Sequence, residues 1–597
     1  MAEGGKKKYG DWNLAKRVFS LTNPHKGIFR LAVTLSVVLA PTVILRPYLV
    51  QRSVDDYILS YTPEGLWVMI LLLIGVLFLE GILYYIFSYS TSWLGQSIIR
   101  DLRIRVFNHI NSLRLTYFDK TPIGTSTTRT INDIETLNSV FSEGAITIVA
   151  DVLTLISVLS MMLWTNWKLT LICLITLPLL ILATYIFKEA VKRAYEVVRT
   201  QVAHMNAFLQ ERITGMHIVQ IFNAEKKELA KFDSINRKYA KANIDSVFYY
   251  AVFFPVVEIF SATSLGLMVW YGARGVIGGE VTIGVLIAFP LYLGMLFRPV
   301  RMLADKFNAL QMGLVAANRI FHVLDNNRKV ENKGVYRVDK IKGKVDFKNV
   351  FFTYEQDATA DEVRKWTLED VSFQIKSGET LAIVGGTGAG KTTIINTLNR
   401  FYKIHKGAIQ IDDRDIHDYE LHHLRRSMAI VLQDVFLFSG SVLENITLRD
   451  VRISREKVLA AAKQIGVHAF IEKLPGGYDY QVMERGASLS MGQRQLISFV
   501  RALVFDPQIL ILDEATSAID PETERIIQYA IEKLIAKRTS IIIAHRLSTI
   551  QHATKIMVME KGKVSEVGSH YELMQIGGGH YRTLVETAHA VYDEKNT

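Results

Sequence analysis

The chain has 597 residues, with 69 basic and 58 acidic side chains, a net charge of +11, 49% hydrophobic residues and one cysteine. A disordered chain would be poorer in apolar residues and richer in charge than the 21% found here, and a single cysteine closes no internal disulfide. A mean hydropathy of +0.19 with so little charge also argues against the roughly four soluble domains that the length alone suggests. Part of this chain is built for lipid.

The N-terminus carries Lys6, Lys7 and Lys8, read as a solvated or headgroup-facing tail. No small-residue cleavage site follows a short apolar core, so no removable signal peptide is expected. Six apolar runs then follow at 28–50, 66–88, 143–164, 169–187, 246–272 and 281–302, each near the 20 residues that a bilayer crossing needs. Cys173 lies inside the fourth run and reads as inert apolar filler. Arg46, Glu80, Asp151, Glu258 and Arg298 are ionisable groups within the runs, where charge is costly and faces a cavity or a partner. Pairing between helices or an interfacial position is preferred over substrate contact for Asp151, Glu258 and Arg298. Pro290 predicts a kink in the sixth run.

The connections alternate short, long, short, long, short. The short ones contain only Arg52, Lys168 and Arg274 as basic residues, whereas the long ones, counted over 95–140 and 188–245, contain seventeen. Positive charge marks the cytoplasmic side, which places the long loops, both termini and the second half of the chain in the cytosol. Each long loop has a turn signal near its middle, at Thr121-Pro122-Ile123-Gly124 and at Thr214-Gly215. A loop of this length folded into two helical arms reaches about 40 Å from the membrane at 1.5 Å per residue. The expected fold class is an α-helical polytopic membrane domain, six transmembrane helices with long cytoplasmic hairpins, followed by an α/β P-loop NTPase domain. The expected boundaries are an N-terminal cytoplasmic segment 1–27, a membrane domain 28–322, a polar linker 323–340, a nucleotide-binding domain 341–580 and a tail 581–597.

After residue 340 the apolar runs are short, as buried parallel strands require. Thr380-Leu381-Ala382-Ile383-Val384 leads into Gly385, Gly386, Thr387, Gly388, Ala389, Gly390, Lys391, Thr392 and Thr393, a G-x-x-x-x-G-K-T string between a strand and a helix. Such a loop closes backbone N–H groups around phosphate oxygens. Lys391 reaches the β/γ-phosphates and Thr392 ligates Mg²⁺. Downstream, Ile509-Leu510-Ile511-Leu512-Asp513-Glu514 is a buried strand ending in two carboxylates. Asp513 is expected beside the Mg²⁺, holding it through water, and Glu514 in the distinct role of polarising the attacking water.

The motif set resembles the nucleotide-binding domain of ATP-binding cassette (ABC) transporters, and the six-run half resembles the exporter class of that superfamily; the resemblance covers roughly 15–585. Its most specific element is Leu489-Ser490-Met491-Gly492-Gln493, similar to the family signature. The resemblance implies that Tyr354 stacks on adenine and that Gln433 touches Mg²⁺ and senses the membrane domain. It further implies that 482–486 contacts the cytoplasmic hairpins, that Ser517–Asp520 communicates between two ATP sites, with Asp520 its acidic member, and that His545 contacts the γ-phosphate.

In the family, the signature residues, here Ser490, Met491, Gly492 and Gln493, complete the ATP site of the opposite cassette. The resemblance therefore implies a half-transporter working as a dimer by alternating access in the cell inner membrane, with ATP and Mg²⁺ as cofactors. It implies efflux of amphipathic small molecules, drugs or lipids. The alternatives are a narrow-specificity lipid or peptide flippase, an ATP-gated channel or a regulatory subunit. No nucleic-acid partner is expected: the positive charge is traced to cytosolic loops beside the lipid bilayer. Met491 replaces the usual glycine of the signature while Glu514 and His545 are intact, which favours a heterodimer with a second half-transporter subunit over a homodimer.

Overall fold

A computed structural model describes residues 12–355, 365–513, 521–544 and 550–587. The chain divides into two units, Met1–Asn111 with Thr121–Asn327, and Ser112–Lys120 with Arg328–Thr597.

The first unit is helical. Its long elements are Lys26–Arg52, Pro63–Ser112, Ala145–Thr165, Leu177–Thr214, Glu225–Ile277 and Ile283–Leu324. Among the described residues five helical segments are long and apolar enough to cross a membrane: Asn23–Ile58, Pro63–Ser112, Ile123–Thr165, Trp167–Thr214 and Glu225–Ile277. Ile283–Leu324 is one helix whose first apolar stretch, Ile283–Pro299, is shorter. It continues through Pro290 and Pro299 without ending at either.

Helix–helix packing follows the expected periodicity. Leu94, Ile98, Leu102 and Val106 recur every fourth residue and bury one stripe of Pro63–Ser112 in a cluster with Ile134, Leu137, Phe141, Ala317 and Phe321. The membrane-side portion of the same helix exposes Trp67, Leu71, Phe78, Ile82 and Tyr85, the apolar surface of an element solvated by lipid tails. Cys173 is fully buried in a second cluster with Met162, Leu169, Phe289 and Tyr292, as filler should be.

The two long loops differ from each other. In the second, Leu177–Thr214 and Glu225–Ile277 run on past the apolar segments and are joined by the short helix Met216–Ile221; Gly215 caps the first arm. Arg212 Nε donates to Glu228 at 2.6 Å, and Phe208 stacks on Phe232 with centroids 6.1 Å apart, so the arms pair. In the first, the return arm is broken into Leu115–Lys120, Ile123–Thr130, Asn132–Ser139 and a π-helical turn Val140–Gly144. The breaks fall at Pro122, which has no N–H and an extended ψ of 139°, and at Ile131; Thr127, Thr128 and Thr130 lie inside the helix between them, their hydroxyls on carbonyls four residues back. A second break, between Trp167–Leu174 and Leu177–Thr214, interrupts the expected fourth run where Pro178 supplies no N–H.

Of the ionisable groups in the apolar runs, Asp151 accepts a hydrogen bond from Lys306 Nζ across helices. Arg298 is exposed in the isolated chain, and Glu80 Oε2 is buried with no hydrogen-bond partner among the described residues.

The second unit is α/β. Its strands are β1 (Val345–Phe352), β2 (Leu368–Ile375), β3 (Thr380–Gly385), β4 (Lys406–Ile411), β5 (Arg414–Asp415), β6 (Met428–Val431), β7 (Gly440–Ser441), β8 (Gln481–Val482), β9 (Ile509–Asp513), β10 (Thr539–Ile543), β11 (Lys555–Glu560) and β12 (Lys563–Gly568). A six-stranded sheet has the order β12-β11-β3-β10-β9-β6, parallel except for β12; a second sheet, β2-β1-β4-β5, is antiparallel.

The larger sheet is buried on both faces, and the alternation of its strands shows this residue by residue. Leu381, Ile383, Ile509, Ile511, Ile541 and Ile543 enter one core together with the antiparallel sheet. Ala382, Val384, Leu510, Leu512 and Ile542 enter the other, against Arg455–Gln464, Met491–Val504 and Pro521–Ile535. Continuous apolar runs in β3, β9 and β10 are therefore what a two-sided parallel sheet demands.

Candidate functional site

The loop after β3 owes its shape to glycines. Gly385, Gly388 and Gly390 have φ of +149°, +79° and +102°, which L side chains rarely adopt. A Cβ on Gly385 would stand 2.3 Å from the Met559 carbonyl oxygen of the neighbouring strand β11. Gly385→Ala is expected to destabilise the second unit by about 1–3 kcal/mol and to abolish nucleotide binding, read by thermal melting and by a fluorescent nucleotide. A variant that melts and binds like the parent would contradict this account of the loop.

Gly386, Thr387 and Gly388 form an exposed crest, while Ala389 and Gly390 are buried beneath it. Gly390 precedes the helix Lys391–Leu398, whose first N–H groups and positive end face the loop. Lys391 is almost fully buried, and its Nζ donates to the carbonyls of Gly385 at 2.7 Å and Gly386 at 2.9 Å. Burial lowers its pKa, opposed by the charge of Asp513.

Asp513 ends β9 and is buried. Parallel register aligns Ile543 with both Ile383 and Asp513, so the ends of β3, β10 and β9 share one edge of the sheet. Gln433 lies two residues beyond β6, whose Val431 pairs with Leu512, and is exposed at that same edge. Thr392 is exposed at the start of the loop's helix, and Thr393 is buried behind it. The loop with Lys391 and Thr392, the end of β9 at Asp513, and Gln433 thus lie along one edge of the sheet. A buried ammonium is turned onto loop carbonyls, with a buried carboxylate close enough to act on it. Glu514, Asp520 and His545 lie outside the described residues; they follow β9 and β10 in sequence.

Tyr354 follows β1 and is 40% exposed. Its hydroxyl lies 3.2 Å from Thr393 Oγ1 and accepts from Asn396 Nδ2 at 3.4 Å, and its ring stands edge-on to Phe352 and Tyr402 at 5.0 and 5.1 Å.

The signature segment starts a helix. Ser490 caps Met491–Val504 in a reciprocal box with Gln493: Gln493 N donates to Ser490 Oγ at 3.3 Å and Ser490 N to Gln493 Oε1 at 3.0 Å. Met491 occupies the first helical position and is absent from the residues with positive φ. Glycine is therefore not required there by backbone conformation, and what Met491 adds is a half-buried side chain beside the exposed Ser490. Ser490→Ala is expected to cost about 1 kcal/mol of stability through the lost cap, measurable by denaturant unfolding; no loss would mean that the box does not form.

Sequence reading missed Arg501, Tyr402 and Asp119. Arg501, on the signature helix, donates to the Asn445 carbonyl at 2.9 Å and to that of Phe436 at 3.4 Å, tying the helix to the segment after Gln433. Nothing in a lone arginine on an amphipathic helix distinguishes it before folding.

Similarity to known proteins agrees with this geometry. The profile of the ABC transporter transmembrane region matches residues 29–300, and that of the ABC transporter nucleotide-binding region matches 368–517. The chain is 37% identical to the ABC transporter ATP-binding protein YknV of Bacillus subtilis over 95% of this chain and 93% of that one. The chain belongs to the ABC transporter family. Two further ABC relatives are an ATP-dependent lipid A-core flippase of Desulfotalea psychrophila, 34% identical over 95% of this chain and 98% of its own length, and YgaD of Bacillus subtilis, 35% identical over 94% and 97%. The latter carries multidrug export in its name. This ABC transporter is a multi-pass membrane protein that binds ATP and couples its hydrolysis to transport.

Proposed function

We propose that this ABC transporter is one half of a dimeric exporter that expels amphipathic drugs or lipids from the cell inner membrane by alternating access. The observation that carries the reading is the fusion, in one chain, of long apolar helices with a single phosphate loop and a single signature helix. One loop and one signature make a complete ATP site only when two chains meet, Ser490 and Gly492 of each reaching the phosphate bound by the other. The relatives named for lipid A-core flipping and multidrug export support an amphipathic cargo; a flippase of narrow specificity is the second reading.

In this proposal Ile283–Leu324 supplies a sixth span, the long loops are cytoplasmic hairpins, and the termini and the nucleotide-binding unit face the cytosol, consistent with seventeen basic residues in the long loops. Tyr354 stacks on adenine, the backbone N–H groups of 386–392 and Lys391 hold the phosphates, and Glu514 takes a proton from the water that attacks the γ-phosphorus as the bond to the bridging oxygen breaks. His545 contacts the γ-phosphate, and Asp520 lies between the paired sites. Thr392, Gln433 and, through water, Asp513 would hold Mg²⁺, which when bound neutralises phosphate charge. ATP drives the cycle only through its tighter binding to the closed dimer.

Met491, in place of the usual signature glycine, is what favours a heterodimer over a homodimer in this reading. In the favoured heterodimer this chain lends a weakened signature to its partner's site. Met491→Gly is then expected to raise total hydrolysis several-fold, about 1 kcal/mol of barrier. Full ATPase activity from the unaltered chain alone, in a two-fold dimer, would sink the heterodimer. The cargo class is tested in vesicles by ATPase stimulation across lipids and drugs; stimulation by neither class, with intact basal hydrolysis, would reject the exporter of amphiphiles.

A further inference from the structure

The segment Ser112–Lys120, which begins at the last residue of the helix Pro63–Ser112, groups with the nucleotide-binding unit. It is anchored there twice. Its start pairs with the chain after the last long helix: Arg114 N donates to the Arg328 carbonyl at 3.0 Å, Val330 N donates to that of Ser112 at 3.0 Å, and Leu113 and Lys329 form an antiparallel bridge. Its end reaches Tyr402, whose hydroxyl donates to Asp119 Oδ2 at 2.6 Å.

Tyr402 is a buried aromatic whose ring leans edge-on against Tyr354 at 5.1 Å and Phe352 at 5.9 Å. Tyr354 is steadied on its other side by Thr393 and Asn396 of the loop's helix. A continuous path therefore runs from Asp119 through Tyr402 to Tyr354 and on to the residues after Lys391. A phenol held by a hydrogen bond to a fixed acceptor has one preferred ring orientation, and edge-to-face packing transmits that orientation to the neighbouring ring.

We infer that Asp119 and Tyr402 are positioning residues for the nucleobase: their hydrogen bond fixes the ring on which Tyr354 rests, and so ties the 112–120 segment to the base-binding platform. The inference rests on the reading of Tyr354 as that platform. Neither residue touches the phosphates. Their loss should weaken nucleotide capture and leave the chemical step alone.

The test uses the full-length dimer in phosphatidylethanolamine/phosphatidylglycerol vesicles, with ATPase kinetics at saturating Mg²⁺. Tyr402→Phe keeps the ring and removes the donor; Asp119→Ala removes the acceptor; Asp119→Asn keeps an acceptor. Tyr402→Phe and Asp119→Ala are each expected to raise KM for ATP about threefold to tenfold, with kcat within about twofold of the parent. Asp119→Asn should restore most of the loss, and the Tyr402→Phe/Asp119→Ala double variant should be no worse than either single one. An unchanged KM, a fall confined to kcat, or additive effects in the double variant would overturn the inference. Tyr354→Ala is the control: if it leaves KM unchanged, the platform reading itself fails, whatever the other variants do.

Discussion

Glu514→Gln, introduced in every copy of the chain in the assembled transporter, is expected to retain ATP binding and to lose about 10²–10⁴-fold of the hydrolysis at the site built on this chain's phosphate loop. The amide is nearly isosteric with the carboxylate, so binding survives, but it accepts no proton from the attacking water. Asp513, one residue earlier, is buried at the end of β9 and acts electrostatically on Lys391, in keeping with its proposed place on the phosphate and metal side. The residue that follows it is free for the other task. The measurement is steady-state phosphate release beside equilibrium binding of a fluorescent ATP analogue. Unchanged hydrolysis would mean that Glu514 is not the general base or that this site is silent; lost binding would assign it to the ligand contacts.

Lys391→Ala is expected to have the opposite signature, with binding and hydrolysis falling together. The ammonium is almost fully buried, and burial already lowers its pKa, so its position is maintained at a cost that a bound triphosphate offsets. Removing a charge-assisted contact of about 1.5–3 kcal/mol raises Kd for ATP about 10- to 100-fold. Binding unaltered by Lys391→Ala would remove the phosphate loop from the ATP site and with it the proposed function. Together the two variants separate capture from chemistry.

The fold was legible wherever one physical pattern dominates. Strands β3, β9 and β10 are uninterrupted apolar runs because both their faces are covered, and Leu381-Ala-Ile-Val384 and Ile509-Leu-Ile-Leu512 show this directly. The glycines of 385–390 announce a loop that needs positive φ. The broken return arm was not legible: Thr121–Gly124 predicts the turn of a simple hairpin, whereas the long helix already ends at Ser112 and the arm is divided again at Ile131. Pro122 marks one of these breaks in the sequence, but hydropathy marks neither Leu113 nor Ile131. Met491 also changes meaning in the structure. Its helical φ removes the conformational argument for glycine and leaves only the added side chain as the difference.

By itself the sequence determined that part of the chain belongs in lipid, where the charge changes, and which residues are the candidates for phosphate chemistry, because composition, hydropathy and a motif of fixed spacing are properties of the chain in order. Only the tertiary structure decided that Asp513, Gln433 and Lys391 share one sheet edge and that Arg501 ties the signature helix to the segment after Gln433. It alone brought Asp119 to Tyr402, 283 positions away in the chain. Those contacts depend on strand order and packing, and no local pattern encodes them.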